Sequence, residues 1–202
     1  MTHRILALGR QFGSGGREIA LLCARELGIP CYDRELIDLA ARRGELEHRR
    51  LEPFDERREN PLLYEAVYGG NRHVRQGESV SAVLFQLQSA VIRDIARQED
   101  AVIVGRCADY VLKGRARLLT VFLAAPFSAR VKRKMEREGL DRRAAEGLVR
   151  RMDRQRRAYY QAYTGWTWGD PRHFDLYLDT VREGIEGCVS RILEAYRALP
   201  EG

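Results

Sequence analysis

A glycine-rich segment near the start of the chain has the residue types and the neighbours that phosphate binding requires. An apolar run at residues 5–8 predicts a buried strand, and the amphipathic stretch after the glycines predicts a helix that stops at Gly28. Glycine lets backbone N–H groups turn toward an anion, and a helix N-terminus adds partial positive charge. The order strand, loop, helix therefore predicts a phosphate-binding loop. Its candidate ligands are Gly13, Ser14, Gly15, Gly16, Arg17 and Glu18.

The loop departs from the common pattern of Gly, four residues, Gly, Lys and then Ser or Thr. When Gly15 is set on the second glycine of that pattern, Gly16 takes the lysine position and Arg17 takes the hydroxyl position. We expect Arg17 to replace the lysine, because its side chain has the longer reach. A glycine-rich turn without a ligand is the alternative, and the flanking strand and helix favour phosphate binding.

A second group of candidates lies on an arginine-rich helical hairpin predicted between residues 127 and 163. The apolar stripe of its second helix passes through Met152, and the next position on that face is Arg156. An arginine on the buried side of a helix needs an anion or a carboxylate partner. Such a hairpin beside a phosphate loop is typical of a kinase lid, whose guanidinium groups neutralise the transferred phosphoryl group. We expect Arg156 to do this with help from Arg154; the alternative is an ion pair with a local acid such as Asp153.

Polar residues at the predicted ends of strands form a third group. Arg106 follows an apolar run at residues 101–104, and ligands of open α/β sheets bind beyond the carboxyl ends of strands. Arg106 is therefore a candidate substrate ligand, with a structural arginine that caps a helix as the alternative. Asp33 opens the helix after the second strand and is a candidate helix cap, substrate ligand or both. Asp179 ends the last strand, where a turn residue is favoured over a water-mediated metal ligand.

The elements that must position these residues follow an α/β pattern. Five apolar runs alternate with helical stretches, which predicts βαβ units and a parallel sheet covered on both faces. The second helix of the hairpin begins after Asp141, and the two helices join near Gly139. The predicted strands are residues 5–8, 30–32, 101–104, 118–123 and 175–179, and further helices are expected at 78–99 and at the C-terminus.

We expect one domain over residues 1–202. Its core comprises residues 1–43, 78–126 and 172–202, with a lid at 127–171. Residues 44–77 are dense in charge and weak in periodicity, which fits either a partly helical, substrate-side insertion or a mobile surface excursion.

Composition narrows the functional classes. The net charge of +6 over 202 residues fits an anionic ligand. Nucleic acid is disfavoured, because the basic residues are mixed with acids and no aromatic–basic platform is present. Four widely spaced cysteines without metal-ligand spacing predict reduced thiols in a cytoplasmic protein, and no stretch predicts a signal peptide or a membrane span. Two tryptophans within residues 164–171 are expected to serve packing rather than base stacking.

Several motifs together resemble the cytidylate kinase-like family, a branch of the P-loop nucleoside monophosphate kinases. They lie at residues 10–18, 32–37, 102–110, 159–171 and 175–180, and so span nearly the whole chain. The resemblance implies a three-layer α/β P-loop kinase fold with a five-stranded parallel sheet in order 2-3-1-4-5, a helical lid and a small helical insertion. It also implies ATP and Mg²⁺ as cofactors and CMP or dCMP as the phosphoryl acceptor.

The same resemblance implies roles for particular residues. Arg106 would contact the acceptor phosphate, and Asp109 would belong to the substrate site. The lid pattern Asp-Arg-x-Arg falls on residues 153–156, which places Arg156 on phosphate. The chain departs from the pattern at Cys107, where cytidylate kinases carry an aspartate that reads the nucleotide, and at the missing loop lysine.

Two other functions remain open from the sequence. One is a kinase that phosphorylates a different small metabolite. The other is a nucleotide-binding regulatory module without catalysis, which the missing lysine favours and the arginine-rich lid disfavours. Nucleic-acid binding is a distant third. Small-molecule nucleotides are the expected partners, and the sequence assigns neither metal ligands nor an oligomeric state.

Overall fold

The computed structural model describes residues 3–46, 52, 55–56, 79–115 and 117–200. Within them, five strands form one sheet in order β2-β3-β1-β4-β5, and every neighbouring pair is parallel. This confirms the predicted α/β class and strand order. The strands are β1 (Ile5–Arg10), β2 (Cys31–Tyr32), β3 (Ala101–Val104), β4 (Leu118–Ala124) and β5 (Leu176–Asp179).

Helices connect and cover these strands. Asp141 caps the second hairpin helix as predicted, because its side chain accepts a hydrogen bond from the Ala144 N–H at 2.8 Å. The first hairpin helix ends at Gly139, whose φ of 65° lies in the left-handed region. Numbered over the described residues, the helices are α1 (Gly16–Leu27), α2 (Glu35–Arg43), α3 (Val80–Gln98), α4 (Ala108–Val111), α5 (Phe127–Glu138), α6 (Arg142–Thr164) and α7 (Gly184–Arg197).

Alternating side chains of the central strand build the two faces of the sheet. Leu6 and Leu8 pack into one cluster with residues of α1 and α7, whereas Ile5 and Ala7 pack into another with residues of α3. Because both faces are covered, β1 is apolar at successive positions, as parallel sheets require. The result is the three-layer arrangement that the sequence predicts.

The edges of the elements differ from prediction in ways that concern the site. β1 continues two residues further than the apolar run, because Gly9 and Arg10 stay in register with Phe122 and Leu123 of β4. Arg10, expected in the loop, is therefore fixed on the sheet. The predicted insertion at residues 44–77 lies outside the described residues except for residues 44–46, 52, 55 and 56.

Two expectations about composition can be checked on the fold. All four cysteines are free thiols. Trp166 stacks on His173 at a centroid distance of 4.1 Å, and Trp168 meets Phe122 edge-on at 5.5 Å, so both rings serve packing as expected. Among the helices of the described residues, none is long and apolar enough to cross a membrane.

Candidate functional site

A cleft of about 840 Å³ lies at the carboxyl end of the sheet, between the glycine loop and the helices α5 and α6. One wall comprises the loop and the start of α1, including Gly13, Gly15 and Arg17. The basic residues Arg133, Lys134, Arg137 and Arg156 line the opposite wall. The cleft therefore presents arginine and lysine side chains to a ligand, although acidic residues such as Glu18, Asp33 and Glu138 line it as well.

The loop takes a conformation that only glycine adopts without strain. Gly13 and Gly15 have φ angles of 80° and 88°, and Gly15 is the N-cap residue of α1. A Cβ on Gly13 would lie 3.0 Å from the carbonyl oxygen of Arg130. The loop backbone and α5 are in close contact for this reason.

Ser14 anchors the loop rather than lining the cleft. Its side chain is fully buried, and its Oγ has no hydrogen-bond partner among the described residues. Its carbonyl oxygen accepts a hydrogen bond from Thr180 Oγ1 at 2.6 Å, which ties the loop to the end of β5. Asp179 beside it accepts from two turn N–H groups and is the turn residue that the sequence favours.

A buried ion pair fastens the loop to the helical hairpin of α5 and α6. Asp153 of α6 accepts the Phe12 N–H at 3.0 Å and pairs with Arg130 of α5 at 2.5 Å. The same Arg130 donates to the carbonyl oxygens of Phe12 at 3.2 Å and Ala125 at 3.0 Å. Asp153 is thus engaged with the loop, and the predicted alternative of an Arg156–Asp153 pair is wrong.

Three buried arginines converge beneath the loop, and we call them the arginine cluster: Arg10 from the end of β1, Arg106 after β3, and Arg156 from α6. Arg106 is 3% exposed and Arg156 is 12% exposed. Arg156 also donates to the carbonyl oxygen of Arg10 at 3.3 Å. The predicted inward position of Arg156 on the helix stripe is what the structure has.

Three carboxylates balance the arginine cluster. Asp33 pairs with Arg10 at 3.1 Å and with Arg106 at 2.6 Å. Glu56 pairs with Arg10 and with Arg156, both at 3.0 Å. Asp55 makes a two-pronged contact with the Arg106 guanidinium, in which Nε lies 3.1 Å from Oδ1 and Nη2 contacts Oδ2. Such forked geometry is typical of arginine with carboxylate or phosphate.

The charges of the cluster shape its proton affinities. Burial alone would raise the pKa of Asp33, but Arg10 and Arg106 outweigh it and lower that pKa. Burial would also raise the pKa of Glu56, but the nearby arginines outweigh burial and hold that pKa well below its ordinary value. Burial lowers the pKa of Arg156, and Glu56 opposes that shift. Asp33 and Glu56 are therefore anionic at neutral pH.

Arg106 stands on an unusual stretch of backbone. Gly105, Arg106 and Cys107 have successive φ angles of 75°, 52° and 56°. Non-glycine residues in the left-handed region are uncommon, cost on the order of 1 kcal/mol or more each, and cluster at functional sites. The side chain is then held by the carbonyl oxygen of Val104, which accepts from Nη1 at 3.0 Å.

The other predicted site residues occupy different surroundings. Arg17 lines the cleft, is 58% exposed and lies 3.5 Å from Asp33. Glu18 contacts Arg137 of α5, so its carboxylate joins the wall formed by the loop to the wall formed by α5. Arg154 is exposed, whereas the α6 side chains that line the cleft are Met152, Gln155 and Arg156.

The position of Asp33 rules out one of the roles that the sequence allowed for it, that of a helix cap. The N-cap position of α2 is Arg34, with no side-chain cap hydrogen bond, so the helix-cap interpretation of Asp33 is wrong. Its carboxylate faces the arginines instead.

Asp109 lies beside the cluster in a small cavity of about 30 Å³ that also borders Cys107 and Phe122. It is buried and accepts a hydrogen bond from Tyr160 Oη at 2.6 Å. Burial raises the pKa of this carboxyl, although the Tyr160 hydrogen bond acts in the opposite direction. The cavity has room for about one water molecule.

The residues present fit the phosphates of ATP. The N-terminus of α1, the side chain of Arg17 and the basic wall of α5 face one cleft, which is the donor set that a triphosphate needs. Among the described residues, no group of three ligand-type side chains could hold a metal ion, so Mg²⁺ would take most of its ligands from the nucleotide phosphates and water.

Sequence reasoning missed four important residues: Arg10, Asp55, Glu56 and Arg130. Arg10 lies at the end of an apolar strand and follows Gly9. The same Gly-Arg pair occurs at residues 105–106, and this repetition was the sequence signal that could have identified Arg10 as a site residue. Asp55 and Glu56 belong to a charge-dense segment where no periodicity separates them from other acids.

Fold and cleft together define a P-loop kinase fold with a variant phosphate loop. Residues 5–182 match the model of the cytidylate kinase-like family, and the chain belongs to that family. No curated protein has a sequence that matches this chain significantly.

Solved structures support the same fold. An uncharacterized protein from Eubacterium ventriosum ATCC 27560 is 26% identical, with 97% of this chain and 99% of that chain covered and a TM-score of 0.72. TT1252 from Thermus thermophilus is 22% identical, with both chains fully covered and a TM-score of 0.56. Shikimate kinase from Bacteroides thetaiotaomicron is 17% identical, with 96% and 98% covered and a TM-score of 0.55. The last two likenesses concern the fold alone.

Proposed function

We propose that this protein is an ATP-dependent nucleoside monophosphate kinase and that CMP or dCMP is its acceptor. One observation carries the proposal: Arg106, beyond the end of a strand, and Arg156, from the lid helix, each pair with a carboxylate that also pairs with Arg10, in the cleft that the glycine loop lines. Family membership supports phosphoryl transfer, and the acceptor is inferred from the family's name and from the Gly-Arg pair after β3.

In the proposed reaction, the loop amides and Arg17 hold the phosphates of ATP. Arg106 binds the phosphate of the acceptor, one of whose oxygens attacks the γ-phosphorus. The bond between that phosphorus and the β–γ bridging oxygen breaks, and the electron pair stays on ADP. Arg156 neutralises charge on the transferred group. No general base is required, because an acceptor phosphate is already a nucleophile and catalysis is mainly positioning and charge stabilisation. Mg²⁺, when bound, would neutralise donor-phosphate charge.

The test is ADP release with ATP, Mg²⁺ and each of CMP, dCMP, UMP, AMP and GMP. Arg156→Ala should lower kcat by about 100-fold or more, since loss of one charge-stabilising donor typically costs that much. Arg157→Ala is the matched control, because Arg157 is exposed on the same helix, and it should stay within about twofold of the parent. Acceptor-dependent release that only Arg156→Ala abolishes would support the proposal and name the acceptor.

The second candidate is a nucleotide-binding module without catalysis. Gly16 at the lysine position favours it, because the β- and γ-phosphates then lack their usual cation. ATP binding without ADP release for any of the five acceptors would support this candidate against the kinase, while release with another phosphorylated metabolite would move the acceptor class.

A further inference from the structure

Two neighbouring carboxylates, Asp55 and Glu56, lie on the arginine cluster where an acceptor phosphate would bind. Asp55 takes the guanidinium fork of Arg106, and Glu56 bridges Arg10 and Arg156. Both side chains are only 14% exposed, so these are buried contacts rather than surface ion pairs. Carboxylate and phosphate use the same donor geometry on arginine. The two side chains therefore occupy the positions that phosphate oxygens would take.

The charge balance of the arginine cluster determines how a phosphate can bind where Asp55 and Glu56 now lie. Three guanidinium groups face three carboxylates, one of which, Asp33, belongs to the turn after β2. A phosphate that simply joined this balanced set would bring buried negative charge without a partner, which is costly. A phosphate that replaces carboxylate avoids this cost. Asp33 lies in the turn after β2, whereas Asp55 and Glu56 belong to the charge-dense segment that follows α2 along the chain. Asp55 and Glu56 are therefore the carboxylates that a phosphate would replace.

We propose that Asp55 and Glu56 are internal competitors for the acceptor phosphate and restrict the site to acceptors that carry a phosphate dianion. The inference rests on the proposed function, because it concerns the acceptor side of the same cleft. A neutral hydroxyl group or a single carboxylate carries less negative charge than Asp55 and Glu56 together. It would therefore interact with the arginines less strongly than the two side chains that it would displace. A phosphate monoester brings two charges and three acceptor oxygens, and so replaces both side chains at once.

The size of the effect follows from population arithmetic. If the competitor occupies the arginines nine-tenths of the time, the apparent dissociation constant of a phosphate ligand is about tenfold weaker than its intrinsic value. Removing the charge of Glu56 should recover that factor. A residue that merely holds Arg156 in place would do the reverse, since its loss would disorder the binding site.

The experiment measures the affinities of CMP and of inorganic phosphate by calorimetry for the parent and for Glu56→Gln. We expect both probes to bind Glu56→Gln about tenfold more tightly than they bind the parent. Glu194→Gln is the matched control, because it removes an exposed carboxylate on α7 that does not line the cleft, and its phosphate affinity should match the parent. Unchanged or weaker phosphate binding by folded Glu56→Gln would overturn the inference.

A measurement on the unmodified chain covers the case in which the variant does not fold. Hydrogen exchange in the peptide that contains residues 55–56 should rise when the protein is saturated with inorganic phosphate, and unaltered exchange at saturation would overturn the inference. Neither readout needs turnover. A protein that shows both effects but does not phosphorylate CMP would keep this inference and reject the proposed acceptor; one that phosphorylates CMP without either effect would do the opposite.

Discussion

Removing the carboxylate of Asp153 should destabilise the protein and loosen its phosphate loop together. Asp153 pairs with Arg130 at 2.5 Å and accepts the Phe12 N–H at 3.0 Å, so Asp153→Ala strands a cation and a loop amide. Breaking a buried pair from one side costs about 3–5 kcal/mol. Since Asp153 is 14% and Arg130 7% exposed, we take the lower end, about 3 kcal/mol of unfolding free energy.

That loss corresponds to a Tm lower by about 6–12 °C for a chain of this size. Urea unfolding followed by circular dichroism measures the loss of unfolding free energy, and titration with a fluorescent ATP analogue measures the accompanying loss of nucleotide affinity. Glu146→Ala is the control, because Glu146 pairs with Arg142 on the exposed side of the same helix and such pairs contribute about 0–1 kcal/mol. An Asp153→Ala protein that loses less than about 1 kcal/mol and keeps the parent's affinity would refute the idea that this pair holds the loop.

Two further results are expected. Arg17→Ala should weaken ATP binding by about tenfold or more, because a charge-assisted hydrogen bond contributes about 1.5–3 kcal/mol; unchanged affinity in the same titration would remove Arg17 from the loop's ligands. Stability should fall as pH drops below about 5. Asp33 and Glu56 have lower pKa values in the folded protein than in the unfolded chain, where carboxyl groups titrate at about pH 4. Their ion pairs therefore stabilise the fold above about pH 4, and this stability is lost as pH falls through the folded pKa values. Tm measured from pH 7 to pH 3 checks this, with a flatter profile expected for Glu56→Gln; a Tm independent of pH over that range contradicts it.

Local patterns in the sequence were enough to predict the scaffold. Hydrophobic runs marked the strands, and the helical spacing after Met152 placed Arg156 inward, where the structure has it. The cap at Asp141 and the joint at Gly139 were also readable, because each depends on residues within a few positions.

The partners of the site residues were not readable, because they are set by packing between distant segments. Arg156 meets Glu56 across 100 positions, and Asp153 meets Phe12 across 141. Nothing in the sequence distinguishes Glu56 from the other acids around it, and helix spacing alone made Asp153 a plausible partner for Arg156. Charge complementarity predicts that a buried arginine has a carboxylate, but only the fold decides which one.

The central position of β1 has a consequence for how the protein comes into being. Among the strands of the described sheet, β1 is synthesised before the others although it lies in the middle, and its two neighbours begin only at Ala101 and Leu118. Until they arrive, β1 has unpaired edges, and such non-local pairing slows folding and prolongs the exposure of apolar segments to aggregation. Arg10, Arg106 and Arg156 can come together only after residue 156 has been made. Phosphate affinity at this cluster would therefore report that β1, the segment after β3, and α6 have come together in the nascent protein.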